Sequence, residues 1–308
     1  MSSLAAGQRV IGVQPILPAR LASWDWWTKP VRAEGLAALR IGVGLVLLLD
    51  MLVTYASHWR LFFGPQGLGT AEVFGSRFSS DHAYFSLAGL FPAETAGWWY
   101  VALTIIAACG LISGVFPRFA ALIAWAITLT MLNENYYLHN GGDRLRSILL
   151  FVLSFAPSDA VWTLRLGRQP SGEPAFIYPW AQRLLFIQLA LLYFMNGVYK
   201  LFGTEWFAGD TIYYVSHDIW WSRFSADWVP LHYLALRIAT WGVLAWEVTF
   251  PLLVLSKRYR PWALAIGAAF HVATGLTLNL GVFPLYALCF YLPELTWLLE
   301  RKSTPRNV

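Results

Sequence analysis

Charged side chains are scarce in this chain of 308 residues: Asp, Glu, Lys and Arg make up 13% of it, against about 25% in ordinary soluble domains. Hydrophobic residues make up 57% of the chain, and 17 residues are tryptophan. So little charge excludes an ordinary soluble globular protein. Apolar segments of about 20 residues predict helices that cross a bilayer. We therefore predict an all-α, polytopic transmembrane helix bundle whose outer surface contacts membrane lipids.

Cysteine is also rare, and several catalytic motifs are missing. Cys109 and Cys289 both lie in apolar runs, so no disulfide framework is predicted. The sequence contains no HExxH zinc motif, no P-loop, no dinucleotide-binding glycine motif after a strand and no GxSxG elbow. No metal site is predicted. The net charge of +5 is explained by membrane topology, and no nucleic-acid partner is predicted.

About eight apolar segments follow one another along the chain. The first covers about 33–55, and a polar loop over 56–96 separates it from the others. The remaining segments lie at about 97–116, 118–139, 143–156, 179–201, 231–255, 260–280 and 283–299. These boundaries divide the chain into an interfacial N-terminal segment, residues 1–32, a transmembrane domain, residues 33–300, and a tail, residues 301–308.

The distribution of basic residues predicts the orientation of the bundle. An even number of spans places both termini on one side, and the loops on that side hold most of the Lys and Arg residues outside the spans. This side is therefore predicted to be cytoplasmic. The polar turns around residues 133–143 and 200–210 then open to the opposite side, which would be the periplasm of a bacterial inner membrane.

Ionisable residues inside predicted spans are functional candidates, because an unpaired charge in the bilayer costs on the order of several kcal/mol. The candidates are Arg40, Asp50, Lys200, Glu247 and His271. Each also has a structural alternative. Arg40 and Asp50 can hold the bundle together by pairing with other helices, while Glu247 and His271 can form hydrogen bonds between helices.

The segment YFMNGVYKLFGTEWFAGD, residues 193–210, combines an apolar helix with polar and small residues. Tyr193, Asn196, Gly197 and Lys200 share one face at helical spacing, so this face is predicted to border protein or water. Lys200 has two interpretations. It can extend to the interface as an ordinary anchoring lysine, or it can act as a base in a partly dehydrated pocket, where the nearby Glu205 would favour its charged form.

The turn NENYYLHNGGD, residues 133–143, is dense in groups that form hydrogen bonds. Asn135, Tyr137, His139 and Asp143 are its candidate ligand-binding residues. An exposed polar loop would have a similar composition. The polar residues begin before the predicted end of the preceding helix, which favours a site.

Five segments, in this order, resemble the horizontally transferred transmembrane (HTTM) domain superfamily, to which vitamin K-dependent γ-carboxylase belongs. They are LRIGVGLVLLLD at 39–50, NGGDRL at 140–145 with AP at 156–157, YFMNGVYKLFGTEWFAGD at 193–210, EVTFP at 247–251, and His271 followed by LGVFP at 280–284. Together they extend over most of residues 33–299.

The resemblance implies a carboxylase-like enzyme, a carbon–carbon lyase, that uses a reduced quinone of the vitamin K type and acts on an exported peptide or protein. It implies that Lys200 is the base that deprotonates the quinone, and we assign His271 as a second catalytic residue. The residues assigned to binding of cofactor or substrate are Asn135, Tyr137, His139, Asp143, Tyr193, Asn196, Trp206 and Glu247. A short bacterial branch, similar to sporulation-delaying protein B, implies the alternative: a non-catalytic or accessory membrane protein that binds lipid, or that binds or matures an exported peptide.

Overall fold

The computed structural model describes residues 23–65, 67–68, 85–164, 175–225 and 227–295. The predicted tail and the first 22 residues of the predicted N-terminal segment lie outside this part of the chain. The division into segment, domain and tail therefore stays a prediction.

Helices dominate the described residues, and the predicted all-α membrane fold is confirmed. In chain order the α-helices are α1 Trp24–Thr28, α2 Glu34–Asp50, α3 Trp59–Phe63, α4 Ala96–Ser113, α5 Pro117–Glu134, α6 Gly141–Phe155, α7 Trp180–Leu201, α8 Thr204–Ala208, α9 Thr211–His217, α10 Trp228–Leu231, α11 Tyr233–Leu255, α12 Arg260–Thr277 and α13 Phe283–Cys289. A π-helix, Met51–Tyr55, continues α2, and short 3-10 helices cover Ala88–Leu90, Tyr136–Leu138 and Leu292–Leu295.

Two short strands pair at the end of the bundle where α2 and α7 begin. Strand β1, Val31–Arg32, pairs antiparallel with β2, Phe176–Ile177. Val31 lies opposite Ile177 in this pairing. Because one residue separates β1 from α2 and two residues separate β2 from α7, the pairing holds the starts of these two long helices together.

Four helices in the described part of the chain are long and apolar enough to cross a membrane: Glu34–Tyr55, Ala96–Ser113, Trp180–Leu201 and Tyr233–Leu255. The other predicted segments form helices that are shorter or less apolar. Helix α6 has 15 residues and α13 has 7. Helix α13 ends at Cys289, well before the end of the predicted segment 283–299. Pro293 lacks the backbone N–H that a continuing helix needs. The count of eight spans and the cytoplasmic termini stay predictions.

Helix α13 joins the two halves of the bundle. In the first half, α2 packs on α4, α4 on α5 and α5 on α6. In the second half, α7 packs on α11 and α11 on α12. Helix α13 contacts α2 and α6 on one side and α12 on the other, so the space beside α13 is bordered by both halves.

The two ionisable residues of α2 pair with other parts of the bundle. Arg40 is fully buried and donates hydrogen bonds to the carbonyl oxygens of Ser158 at 3.0 Å and Trp162 at 2.6 Å. It thereby ties α2 to the chain after α6. Asp50 accepts a hydrogen bond from Arg146 of α6 at 2.8 Å. The structural alternative for both residues therefore agrees with the contacts observed.

Arg146 is the centre of a buried charge cluster. Its guanidinium group is paired with Asp50 and Asp143, each at 2.8 Å, and its side chain is 0% exposed. The hydroxyl group of Tyr286 on α13 donates to Asp50 at 3.3 Å. Burial of an ion pair removes both ions from water, so removing one partner leaves a costly unpaired charge. The cluster therefore fixes α2, α6 and α13 relative to one another.

Candidate functional site

The site begins at a close approach of α7 and α11. A Cβ atom on Gly197 would lie 2.8 Å from the backbone nitrogen of Val248 and 3.0 Å from the carbonyl carbon of Glu247. Only glycine allows the two helix backbones to come this close. Lys200 follows Gly197 by three residues, which is nearly one helical turn. The contact at Gly197 therefore brings Lys200 within reach of Glu247.

Lys200 forms an ion pair with Glu247. The ammonium group contacts both carboxylate oxygens, and the two side chains are 22% and 5% exposed. The ring of Trp206 on α8 covers the ammonium group, with its centroid 4.7 Å from Nζ. The acidic partner of Lys200 among the described residues is therefore Glu247, on another helix; an effect of Glu205 on the charge of Lys200 stays a prediction. Gly203 separates α7 from α8, and a Cβ atom there would lie 3.0 Å from the Trp206 ring.

A second polar group lies about two turns before Lys200 on α7. The hydroxyl oxygen of Tyr193 is 3.0 Å from Nε2 of His271 on α12 and 2.6 Å from the hydroxyl oxygen of Tyr291. All three side chains are buried. A Cβ atom on Gly267 would overlap the hydroxyl group of Tyr291, so a glycine on α12 is what admits this tyrosine to the cluster.

These two polar groups border one cavity of about 280 Å³. Its walls are mostly apolar, with side chains such as Leu189, Leu192, Phe270, Phe283 and Phe290. Its polar lining comes from Tyr193, Asn196, Lys200, Glu247, His271 and Thr274. Five of the ten residues assigned to the site from the sequence therefore line this cavity, and a sixth, Trp206, covers Lys200.

The other four assigned residues form the polar turn between α5 and α6 and do not line the cavity. Asn135 donates hydrogen bonds to the carbonyl oxygens of Phe62 at 2.9 Å and Leu68 at 2.6 Å. His139 is hydrogen-bonded to the carbonyl oxygen of Leu132 at 2.6 Å, and Tyr137 is 69% exposed. These contacts fix the turn itself, and a role of the three residues in the site stays a prediction.

Asp143 has a different position in the same turn. It accepts a hydrogen bond from the backbone N–H of Asn140 at 3.0 Å, and the Asn140 side chain accepts from the N–H of Asp143. This capping box starts α6. The two glycines that follow Asn140 pack against Phe283, which lines the cavity. The turn therefore supports one wall of the cavity through an intervening aromatic ring.

Two residues of the site were missed from the sequence. Thr274 lies one turn after His271 on α12, a spacing that could have identified it. Tyr291 lies in an apolar segment with other aromatic residues, where the composition gives no sign of a buried hydroxyl group. In the described ranges, no group of three His, Cys, Asp or Glu side chains is placed to hold a metal ion.

Comparison with known proteins assigns the family. No solved structure matches the chain. The HTTM domain model matches residues 28–294, which includes both halves of the bundle and every residue that lines the cavity. The match is to the domain as a whole, and a specific similarity to sporulation-delaying protein B stays a prediction. The chain belongs to the HTTM domain family and is a membrane protein of this carboxylase-like family.

Proposed function

We propose that this protein is a carboxylase-like membrane enzyme that binds a reduced quinone in the cavity and uses Lys200 as a base. The observation that carries the proposal is the pairing of Lys200 with Glu247 at the edge of a mostly apolar cavity. A lysine held only as an interfacial anchor would not need a buried carboxylate and a covering tryptophan. Together these groups give the amine a fixed position beside the ligand.

The cavity fits the ring of a lipidic quinone. Its volume of about 280 Å³ lies near the lower end of ligand pockets, and its aromatic and leucine walls suit a flat apolar ring. The polar side chains that line the cavity, Asn196, Lys200 and His271 among them, can form hydrogen bonds with ring oxygens. A bound reduced quinone would supply a ring hydroxyl group whose proton Lys200 can accept.

Lys200 and Glu247 can move a proton without creating an isolated charge. Transfer of one proton from Nζ to the carboxylate leaves a neutral amine beside a neutral acid. The amine can then accept a proton from a hydroxyl group in the cavity, and the resulting ammonium group stabilises the oxygen anion. Trp206 covers part of the ammonium group and interacts favourably with its charge.

The wider reaction follows from the family. We propose that an acidic carbon of an exported peptide or protein is carboxylated, which places the protein among carbon–carbon lyases. We also propose that the cavity faces the periplasm of a bacterial inner membrane, an orientation that the distribution of basic residues supports.

The test uses the purified protein in lipid nanodiscs with a reduced short-chain naphthoquinone, labelled bicarbonate and a glutamate-containing peptide. We expect the wild-type protein to transfer label to the peptide, and Lys200→Ala and Glu247→Gln to lose at least about 100-fold of the rate, as for loss of a general base. Lys257→Ala is the matched control, because Lys257 is exposed and distant in sequence from the cavity-lining lysine. Equal rates for Lys200→Ala and Lys257→Ala would contradict the proposal.

Native mass spectrometry and lipid extraction provide a separate test of binding. A quinone that co-purifies with the wild-type protein and is depleted in Lys200→Ala supports the proposal. Bulk phospholipid alone in both proteins, together with no transfer of label, would instead favour the accessory function, in which the protein binds lipid or an exported peptide without chemistry.

A further inference from the structure

His271 has one nitrogen without a partner. Its Nε2 atom lies 3.0 Å from the Tyr193 hydroxyl oxygen, whereas Nδ1 is buried and has no hydrogen-bond partner among the described residues. The residue as a whole is 7% exposed and lines the cavity. A buried polar atom without a partner is costly. Nδ1 is therefore the ring nitrogen that remains for a polar group of a ligand.

The direction of the hydrogen bonds follows from Tyr291. Its hydroxyl group has one proton to donate, and within the described ranges its hydrogen-bond partner is the Tyr193 hydroxyl oxygen at 2.6 Å. With Tyr291 as the donor of this bond, Tyr193 accepts and keeps its own proton to donate. Of its two acceptors, Nε2 of His271 lies at 3.0 Å and the Gly267 carbonyl oxygen at 3.5 Å, and the shorter distance decides in favour of His271.

We propose that Tyr291 and Tyr193 hold His271 as the tautomer that carries its proton on Nδ1, and that this N–H donates a hydrogen bond to an acceptor oxygen of the ligand in the cavity. In a neutral imidazole, a nitrogen that accepts a hydrogen bond is bare, so the proton lies on the other nitrogen. Tyr193 and Tyr291 are positioning residues, because they act through His271. The acceptor is a carbonyl oxygen or an ionised hydroxyl oxygen of a ring.

The proposed donor complements Lys200. Lys200 and His271 lie on different helices and border the same cavity. A ring bound between them would have Lys200 as the base for one oxygen and the neutral His271 as the hydrogen-bond donor for another. The part of this inference that concerns the ligand rests on the proposed function. The part that concerns the tautomer does not, because the hydrogen bonds that fix it are internal to the protein.

The tautomer is measured by nitrogen NMR on protein in nanodiscs labelled at the histidine rings. The chain has six histidines, and the signals of His271 are those that disappear in His271→Asn. We expect a protonated Nδ1 and a bare Nε2 in the wild-type protein. Tyr193→Phe should convert His271 to a mixture or to the Nε2–H form. Tyr199→Phe is the matched control on the same helix, since Tyr199 is 73% exposed, and it should leave the spectrum unchanged.

Donation to the ligand is measured with menadione, a quinone whose carbonyl oxygens accept hydrogen bonds. We expect His271→Leu to weaken menadione binding about 3- to 10-fold, the loss of one hydrogen bond, and to raise the frequency of one carbonyl band in the infrared spectrum of the bound quinone. His271→Asn should retain most of the binding, because its amide N–H can replace the Nδ1 donor.

Each failure has its own meaning. A wild-type His271 protonated on Nε2 would overturn this inference even if menadione binds. Equal binding and equal carbonyl bands in wild type and His271→Leu would also overturn it. If wild type does not bind menadione at all, the proposed function fails, and the nitrogen spectrum still decides whether Tyr193 and Tyr291 fix the tautomer.

Discussion

Lys200 contacts both carboxylate oxygens of Glu247 beside the close packing of α7 on α11 at Gly197. The two residues are 47 positions apart in the chain, and each alone would be an uncompensated charge within an apolar helix. Their pairing gives the cavity a charged edge without a net charge.

Lys200→Met should destabilise the protein because it leaves Glu247, which is 5% exposed, without its partner. A second change, Glu247→Gln, removes the unpaired charge and should restore much of the lost stability. We expect a coupling free energy of about 1–3 kcal/mol between the two positions, below the values of fully buried pairs because Lys200 is partly exposed. Thermal unfolding of the two single variants and the double variant in detergent measures this coupling, and strictly additive effects would contradict a direct pair.

Gly197→Ala should separate α7 from α11, because the added methyl group would overlap the backbone nitrogen of Val248. We expect a loss of about 1–3 kcal/mol in the free energy of unfolding and weaker quinone binding. Gly242→Ala on α11 is the matched control, since no atom lies within 4 Å of its Cβ position. The control should be neutral or slightly stabilising, as alanine favours helices. Identical unfolding for the two variants would exclude close packing at Gly197.

Arg146→Met should be among the most destabilising substitutions in the bundle. It leaves Asp50 and Asp143 buried beside each other without the guanidinium group that pairs with both. We expect a loss of about 3–5 kcal/mol, measured as a lower unfolding temperature or as failure to accumulate in the membrane. Arg144→Met removes the same charge from an exposed position two residues earlier and should change stability little. Comparable losses in both variants would point to loss of charge alone as the cause.

Asn135→Ala distinguishes a structural role of the polar turn from a role in the site. The change removes hydrogen bonds to the carbonyl oxygens of Phe62 and Leu68, so the free energy of unfolding should fall by about 1–3 kcal/mol. Menadione binding should stay the same for the fraction that remains folded, because Asn135 does not line the cavity. Normal stability combined with lost binding would place Asn135 in the site after all.

The spacing of residues along one helix made part of the site predictable. Tyr193, Asn196 and Lys200 recur at intervals of three and four residues, and α7 presents all three to the cavity, as a regular helix must. The polar turn shows where composition does not distinguish two roles. Helix ends and loops need hydrogen-bond partners, and a ligand site needs the same residue types as Asn135, Asp143 and their neighbours.

The sequence by itself determined the class of the protein, the face of α7 that borders the cavity and the family, because hydropathy, helical spacing and ordered motifs are properties of the chain read in order. Only the tertiary structure decided that Lys200 pairs with Glu247, that Arg146 joins Asp50 to Asp143, and that Tyr291 reaches Tyr193 and His271. These pairings join residues on different helices. They depend on how closely two helices approach, at Gly197 and Gly267 in particular, and that distance is set by packing in three dimensions.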